Sequence, residues 1–216
     1  MKGTRHNGRS GKDGVYNPLH NDRRFDPEHS EHIDNERVRQ NIYWDCYQGY
    51  TTMEDRGKED NFSFSQIEMA YYSEHHSDYV INQNKRHEKA RHPDRCKGVE
   101  EILKNKKTCP EESIYQLGTI DEHASVETLI RVFDEFKKEF DERFGSNVHI
   151  IDWSLHMDES TPHIHERHVF DATNRYGEIE PKQEAALEEL GFELPNPEKK
   201  RSKTNNRKVV FDSACR

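Results

Sequence analysis

The clearest periodic signal in the chain is an apolar stripe between Ser125 and Gly145. Ser125 is a favourable N-cap, and Gly145 is a favourable residue to follow a helix. Between them, hydrophobic residues recur at steps of three and four positions, the spacing of one helical face. These residues are Val126, Leu129, Ile130, Phe133, Phe136, Phe140 and Phe144. We predict a helix here whose apolar face packs on the core.

Two strands joined by a tight turn are predicted directly after this helix. Residues 147–157 (NVHIIDWSLHM) and 163–170 (HIHERHVF) have the composition of buried strands, and the five residues DESTP link them. A hairpin is the natural arrangement for strands so close in sequence. The side chains of His163 and His165 then share one face, while Ile164 between them points into the core.

The other elements have weaker patterns, and residues 1–24 have the composition of a loop. Helices are predicted at about 35–43 with Asp34 as the cap, at 65–91 with Ser65 as the cap and Pro93 beyond its end, at 98–105 and at 182–190; strands are predicted near Gly14–Tyr16 and at 112–120.

Composition limits the size of the core and the class of protein. Only 31% of the 216 residues are hydrophobic and 35% are charged, which indicates one thin core with extensive solvated surface. We expect one domain over residues 1–195, followed at 196–216 by a basic polar tail or the start of a truncated following region. No apolar run approaches the ~18 residues of a membrane span, and Met1–Lys12 does not resemble a signal sequence, so we expect a cytoplasmic protein. The four cysteines are scattered, which favours reduced thiols.

The distribution of charge changes how the net charge of −9 is interpreted. Six basic residues face two acidic ones in 1–24 and again in 85–97, and 199–208 has six basic and no acidic residues. A charge run is usually a solvated face, but this segregation also suits a DNA-binding surface on an acidic body. The candidate DNA-binding residues are Arg24, Lys85, Arg86, Lys89, Arg91, Lys199, Lys200 and Arg201.

Three histidines in the predicted hairpin are the strongest candidate for chemistry. The turn folds His156 back beside His163 and His165, so that three imidazoles converge on one metal ion and leave coordination positions open for substrate. Solvated or hydrogen-bonded core histidines are the alternative, but this spacing, with Asp158 and Glu159 in the turn, favours a metal site. The two carboxylates can orient ligands, and one can act as a general base; Asp158 can equally be a turn residue that accepts backbone hydrogen bonds.

Imidazole ligands favour transition metals over magnesium in raw affinity. We expect manganese, with magnesium, nickel and zinc as alternatives.

The segment HMDESTPHIH, from His156 to His165, resembles the third motif of the MobV/Pre family of plasmid mobilisation and recombination proteins, which are HUH-type relaxases. The upstream HNDR at 20–23, with Ile33–Asp34, Arg37 and Asn41 beyond it, resembles that family's first motif. The similarity spans about Gly11 to Leu194, including GFEL at 191–194. The acidic Glu166, next to His165, departs from the family pattern and is expected near the metal.

This resemblance implies an α+β fold with a central antiparallel sheet flanked by helices and with the histidine-bearing strands at its centre. It also implies strand-specific nicking of plasmid DNA, single-stranded at the nick site, at a transfer origin, with a covalent protein–DNA intermediate and auxiliary mobilisation proteins as partners. By position, the three histidines match the metal ligands, Glu159 the active-site carboxylate, His20 the nucleophile and Arg23 an active-site arginine.

The sequence offers two nucleophile candidates and more than one type of reaction. Most relaxases use tyrosine, and Tyr16 lies four residues before His20, which the motif favours. Arg23, or more weakly Arg24, is expected to hold the phosphate. The alternatives to a relaxase are a metal-dependent nuclease that cuts with water, a DNA-binding protein with a structural metal site and no turnover, and a structural metal protein without nucleic acid.

Overall fold

An antiparallel sheet forms the centre of the computed structural model, which describes residues 2–8, 14–24, 33–56, 58 and 60–215. The order of its strands is β1-β4-β6-β5-β2-β3, and β7 pairs with the far part of β6. The strands β5 and β6 lie in the middle, which confirms the expected α+β fold with the histidine-bearing strands at the centre of the sheet. The bounds of the strands are β1 Gly3–Asn7, β2 Ile42–Asp45, β3 Gly49–Thr52, β4 Glu111–Leu117, β5 Val148–His156, β6 His163–Thr173 and β7 Ile179–Pro181.

Helices cover both faces of the sheet. The α5 stripe buries Leu129 and Phe133 against Trp153, Leu155 and Ile164 on one face. On the other face, α3 and α4 pack on the middle of β5 and β6. None of the helices in the described ranges is both long and apolar enough to cross a membrane. The helices are α1 Pro18–Asn21, α2 Met53–Arg56, α3 Phe64–Lys89, α4 Val99–Leu103, α5 Val126–Phe144, α6 Gln183–Glu189 and α7 Arg207–Ala214; two 3-10 turns lie at Val38–Gln40 and Pro93–Arg95.

A bulge in β5 decides which side chains face α3. The register shifts between Ile150 and Asp152, where β5 has one residue more than β6. Ile150 packs on the α5 side, and Ile151 is buried on the α3 side. Because the extra residue resets the alternation, Trp153 faces α5, and His156 comes to the same face as the histidines of β6.

Two predictions near the N-terminus are wrong. Residues 14–16 form no strand; the N-terminal strand is β1, which pairs with β4. Its sequence GTRHN has no apolar alternation from which a strand could be predicted. The strand is held by backbone pairing with β4. The predicted helix at 35–43 is a turn followed by β2, which pairs with β5.

Helix α3 begins one residue earlier than predicted, because Ser63 caps it in a capping box with Gln66.

The end of the chain also differs from the expectation of a polar tail. Residues 207–214 form α7, and its Phe211 is fully buried against Phe140, Phe144 and Phe170. The helix is also tied to the sheet, since Arg5 on β1 donates a hydrogen bond of 3.1 Å to Asp212. Of the four hydrophobic residues in α7, Phe211 is the one that is buried in the core.

Candidate metal centre and nucleophile

Three histidine rings meet where β5 ends and β6 begins. Alternation along β6 places His163 and His165 on the α3 side of the sheet, and the bulge in β5 brings His156 to that side. The ring centroids are 4.8 Å apart for His156 and His165, 4.9 Å for His163 and His165, and 5.5 Å for His156 and His163. All three residues are buried. The hairpin therefore brings the three predicted histidine rings next to one another.

The hydrogen bonds of the Nδ1 atoms determine which nitrogen of His163 and of His165 carries the lone pair. His163 Nδ1 lies 2.8 Å from the carbonyl oxygen of Thr161, and a carbonyl can only accept, so Nδ1 donates. His165 Nδ1 lies 3.2 Å from Glu112 Oε1. Burial raises the pKa of Glu112, but the hydrogen bond from His165 and the charge of Arg167 outweigh it and hold that pKa at about 2. The ionised Glu112 accepts, and both histidines keep a lone pair on Nε2.

The second nitrogen of the His156 ring faces Glu159. His156 Nε2 lies 3.0 Å from the carbonyl oxygen of Asn21, to which it donates, and 3.0 Å from the Ser154 hydroxyl. Its Nδ1 is buried without a hydrogen bond, and Glu159 Oε1 is 3.6 Å away. Burial is the main cause that lowers the pKa of His156 to about 3, so the ring is neutral at neutral pH.

The arrangement of these lone pairs fits a metal ion. The Nε2 atoms of His163 and His165 are 3.0 Å apart, and in the tautomers that donate from Nδ1 they face each other with two lone pairs. Two facing lone pairs repel unless a cation lies between them. The separation is also that of two adjacent ligands, each about 2.1 Å from one ion. Possible ligand atoms within 4.8 Å of one another form two overlapping groups that share His156: His20, His156 and His165; and His156, Glu159 and His163. Among the described residues, the predicted set of His156, His163 and His165 is divided between these two groups.

The carboxylate of Glu159 adds negative charge at this point. Its Oε1 lies 3.6 Å from His156 Nδ1 and its Oε2 3.8 Å from His163 Nε2. Oε1 also accepts a hydrogen bond of 2.7 Å from Arg23. Burial acts to raise the pKa of Glu159, but its interactions with His156 and Arg23 hold the pKa well below its usual range. An ionised carboxylate among neutral imidazoles favours a bound cation.

His20 projects from α1 toward the histidine cluster. The Asn17 side chain caps this short helix by accepting a backbone N–H at 3.0 Å. The ring centroid of His20 is 5.5 Å from that of His156 and 5.2 Å from that of His165. The side chain is 47% exposed, whereas the three cluster histidines are buried. Burial, then the charges of Arg23 and His165, lower the pKa of His20 to about 4, so its imidazole is neutral and reachable from solvent.

Arg23 connects α1 to the turn of the hairpin. Its Nε and Nη2 donate hydrogen bonds of 2.8 Å to the two oxygens of Asp158, and its Nη1 donates one of 3.0 Å to the backbone carbonyl of His20. Asp158 is also held at 2.8 Å by the side chain of Asn41. Both partners of the Arg23–Asp158 pair are buried, and Arg23 has a left-handed backbone with φ of 53°. These bonds fix the position of the nucleophile candidate relative to the hairpin.

The first and third motifs meet through a second arginine. Arg37 donates to the backbone carbonyls of Met157 and Glu159. The backbone N–H of Asp34 donates to the backbone carbonyl of Asp158 at 2.8 Å. The Asp158 carboxylate thus binds side chains, while its carbonyl closes the turn.

One residue of the site was missed by the sequence analysis, and one was misplaced. Glu112 on β4 bonds His165 through one oxygen and Asn21, at 2.8 Å, through the other, so it joins the cluster to α1. Spacing gives no sign of it, because it lies 53 positions from His165. Glu166 was expected near the metal, but alternation turns it to the opposite face, where it lies 2.9 Å from His168 Nδ1.

Tyr16, the second nucleophile candidate, packs next to Arg167, whose guanidinium carbon is 5.9 Å from the tyrosine ring centroid. Burial, then the charges of Glu111 and Glu112, raise the pKa of Tyr16 to about 12. Its hydroxyl is therefore harder to ionise than an ordinary tyrosine.

The eight basic candidates differ in exposure and in their partners. Lys85, Lys89, Arg91, Lys199 and Lys200 are exposed. Three others have partners: Arg24 donates to the carbonyl of Arg56 at 3.1 Å, Arg86 forms a bidentate pair with Glu178 at 2.8 Å, and Arg201 lies 3.1 Å from Glu184.

Two histidines that flank one apolar residue on a central strand, with a third on the paired strand, define an HUH-type arrangement in an α+β fold. A family model described as "Plasmid recombination enzyme" (Mob_Pre) matches residues 55–208, more than half of the chain. The chain belongs to this family.

Similar solved structures include MobM relaxase domains that are bound to plasmid pMV158 oriT DNA and are manganese-bound. One, determined at pH 6.8 with a 3′-thiophosphate on its DNA, is 22% identical, with 83% of this chain and 74% of that chain covered and a TM-score of 0.48. Another, at pH 5.5, is 23% identical with the same coverage and a TM-score of 0.45. A third, at pH 4.6, is 22% identical, with 78% and 70% covered and a TM-score of 0.44. No curated protein matches the chain.

Proposed function

We propose that this protein is a relaxase, which nicks one strand of plasmid DNA at a transfer origin by transesterification and keeps one end of the strand in a covalent link. Membership of the plasmid recombination enzyme family supports this activity. The observation that carries the proposal is the position of a neutral, half-exposed His20 beside a buried cluster of imidazole lone pairs. A structural metal site alone does not require an accessible imidazole next to it.

The metal would be held by His156, His163 and His165, with Glu159 beside it. Such a donor set suits a divalent transition metal, and we expect manganese. A bound ion would supply Lewis-acid chemistry, by withdrawing charge from the oxygens of a phosphodiester.

His20 is the proposed nucleophile. Its neutral ring attacks phosphorus with a nitrogen lone pair, and the bond between phosphorus and the 3′ oxygen breaks. The proton on the other ring nitrogen is released to solvent, and the leaving oxygen takes up a proton from solvent. The 5′ phosphate then stays on the imidazole as a phosphoramidate. Because one phosphorus bond replaces another, the released 3′ hydroxyl can later attack this phosphoramidate and restore the strand. The raised pKa of Tyr16 makes it the weaker candidate for this step.

Arg23 is proposed to act on the nucleophile. Nε and Nη2 are engaged by Asp158 and Glu159, while Nη1 bonds the His20 carbonyl and lies 3.4 Å from His20 Nε2. We therefore assign Arg23 to the orientation of His20 rather than to a direct grip on the phosphate. Its positive charge also helps to keep that imidazole unprotonated.

The basic residues on the surface are proposed to bind the DNA backbone. Each phosphate contact releases counterions, so affinity should fall steeply as salt is raised. Binding that did not respond to salt would contradict this assignment.

The test is nicking of a supercoiled plasmid that carries the cognate origin, with manganese and with a chelator. We expect open circles with manganese only, and a covalent adduct on the 5′ phosphate at the nick. The adduct should be lost on acid treatment, since a phosphohistidine link is acid-labile. His20→Ala should abolish the adduct, whereas Tyr16→Phe should form it at a rate close to that of wild type.

Each other outcome contradicts a specific part of the proposal. An acid-stable adduct that survives His20→Ala would move the nucleophile to Tyr16. Nicking without any adduct would make the protein a hydrolytic nuclease. Binding of DNA and metal without nicking would leave a DNA-binding protein with a structural metal site.

A further inference from the structure

A groove of about 540 Å³ lies at the end of β6 opposite to the histidine cluster, between the C-terminal part of α3 and the β6–β7 turn. Its lining includes Arg86, Arg175, Tyr176 and Lys182. We propose that this groove binds the sugar-phosphate backbone of duplex DNA about one helical turn away from the nick. The inference rests on the proposed function only for the position of the nick.

The β6–β7 turn that displays two of these residues is held in one conformation. The Asn174 side-chain oxygen accepts the backbone N–H groups of Tyr176 and Glu178 at 2.9 and 3.1 Å, and its amide nitrogen donates to Glu178 at 2.9 Å. Gly177 has a φ of +77°, which favours glycine. Arg175 and Tyr176 therefore extend from a fixed turn, so binding DNA there would require little ordering.

The ring of Tyr176 is a platform for two arginines. It is 52% exposed, and the guanidinium carbons of Arg86 and Arg175 lie 4.2 and 4.7 Å from its centroid. Two hydrogen bonds to the carboxylate of Glu178 hold the Arg86 guanidinium in place. Arg175 donates to the Tyr176 hydroxyl at 2.6 Å, and its side chain is exposed. Exposed arginine on an aromatic ring is suited to phosphate and sugar contacts.

Charge around the groove favours an anionic partner. Glu178 is neutralised by Arg86, and Glu180 pairs with Lys182 at 2.8 Å, which leaves Arg175 as an additional positive charge. The adjacent segment 85–97, at the end of α3, has six basic and two acidic residues. A positive, concave surface beside this segment is complementary to a DNA backbone.

Two independent distances place the groove one turn of duplex from the histidine cluster. Ten steps along β6, from His163 to Thr173, span about 33 Å at ~3.3 Å per residue. Helix α3 starts beside α1, where the Phe64 N–H bonds Asp22 at 2.9 Å, and its 22 steps to Arg86 also span about 33 Å at ~1.5 Å per residue. Duplex DNA rises about 3.4 Å per base pair, so the same face of the duplex returns after roughly ten base pairs.

The test measures DNA binding by fluorescence anisotropy over a range of salt concentrations. The variant is Arg175→Ala/Lys182→Ala; the control, Arg131→Ala/Lys138→Ala, removes two exposed charges from α5 on the other face of the sheet. The probes are a duplex of about 30 base pairs, which is long enough to reach the groove, and a single strand of about 4 nucleotides, which even when fully extended is shorter than the distance from the histidine cluster to the groove. Thermal melting of each variant checks that it is folded.

We expect the groove variant to bind the duplex about tenfold more weakly, with a salt slope smaller by about 2, and to bind the short strand like wild type. The control should leave both affinities within about twofold of wild type. Equal losses in both variants, or an equal loss on the short strand, would overturn the inference. A loss confined to single strands of about 30 nucleotides would overturn the assignment to duplex.

The two proposals fail separately. If wild type does not nick but the groove variant still loses duplex affinity, only the relaxase proposal and the distance to the nick are refuted. Normal nicking with unchanged duplex binding in the variant would refute the groove alone.

Discussion

Replacing Glu112 by glutamine tests the hydrogen-bond argument for the metal centre. Glu112 is 7% exposed on its side chain and fixes the His165 ring through a contact of 3.2 Å, while its other oxygen holds Asn21. Glutamine keeps the shape and one acceptor but loses the charge that makes His165 a stronger ligand. Loss of such an outer partner weakens metal binding by about 10- to 100-fold, or about 1.4 to 2.7 kcal/mol.

The measurement is the manganese Kd of the Glu112→Gln variant by isothermal titration calorimetry. The matched control is Glu111→Gln, since Glu111 points away from the cluster and bonds Gln183 and Lys208 instead. We expect the control to bind manganese like wild type. A Kd of Glu112→Gln within about threefold of wild type would refute the reasoning, because it would mean that Glu112 does not tune the ligand.

Three further predictions concern stability. Asp158→Ala leaves the buried Arg23 guanidinium without its bidentate partner and should lower the free energy of unfolding by about 3–5 kcal/mol in urea denaturation; a loss below about 1 kcal/mol would contradict the buried pair. Burial raises the pKa of Asp171 to about 7. Between about pH 4 and 7 the folded protein therefore keeps a proton on Asp171 that the unfolded chain has lost. The free energy of unfolding that Asp171 contributes falls as pH rises through this range. The melting temperature of Asp171→Asn relative to wild type should therefore rise between about pH 5 and 8, and a flat difference would refute the shift. Phe211→Ala should cost about 3–5 kcal/mol, whereas Val209→Ala, at a side chain that is 43% exposed, should cost under about 0.5; equal effects would mean that α7 is not part of the core.

The elements that were predictable from sequence are those whose signal is local. The α5 stripe and its Ser125 cap need no information from elsewhere in the chain. The paired positions of His163 and His165 follow from strand alternation alone. The turn between the strands is short enough that the hairpin, and therefore the approach of His156, could be inferred.

The features that were missed depend on distant partners. Strand β1 is defined by pairing with β4 more than one hundred positions away, as in the register of Gly3 with Leu117. Glu112 becomes part of the site only because β4 pairs with β6. The bulge in β5 is defined by the register of β5 with β6, and the amino-acid composition of β5 gives no sign of it. Polar residues at such positions resemble solvated surface until the sheet is assembled.

The compactness of the ligand segment has a consequence for the unfolded state. His156, His163 and His165 lie within ten consecutive residues, so the denatured chain keeps them at a high effective concentration for one ion. Manganese should then bind the unfolded protein as well. When a ligand binds both states, it raises the free energy of unfolding only according to the ratio of its affinity for the native state to its affinity for the unfolded state. The rise in melting temperature on adding manganese should therefore be smaller than the native Kd alone implies, and metal present at the start of refolding should speed closure of the hairpin.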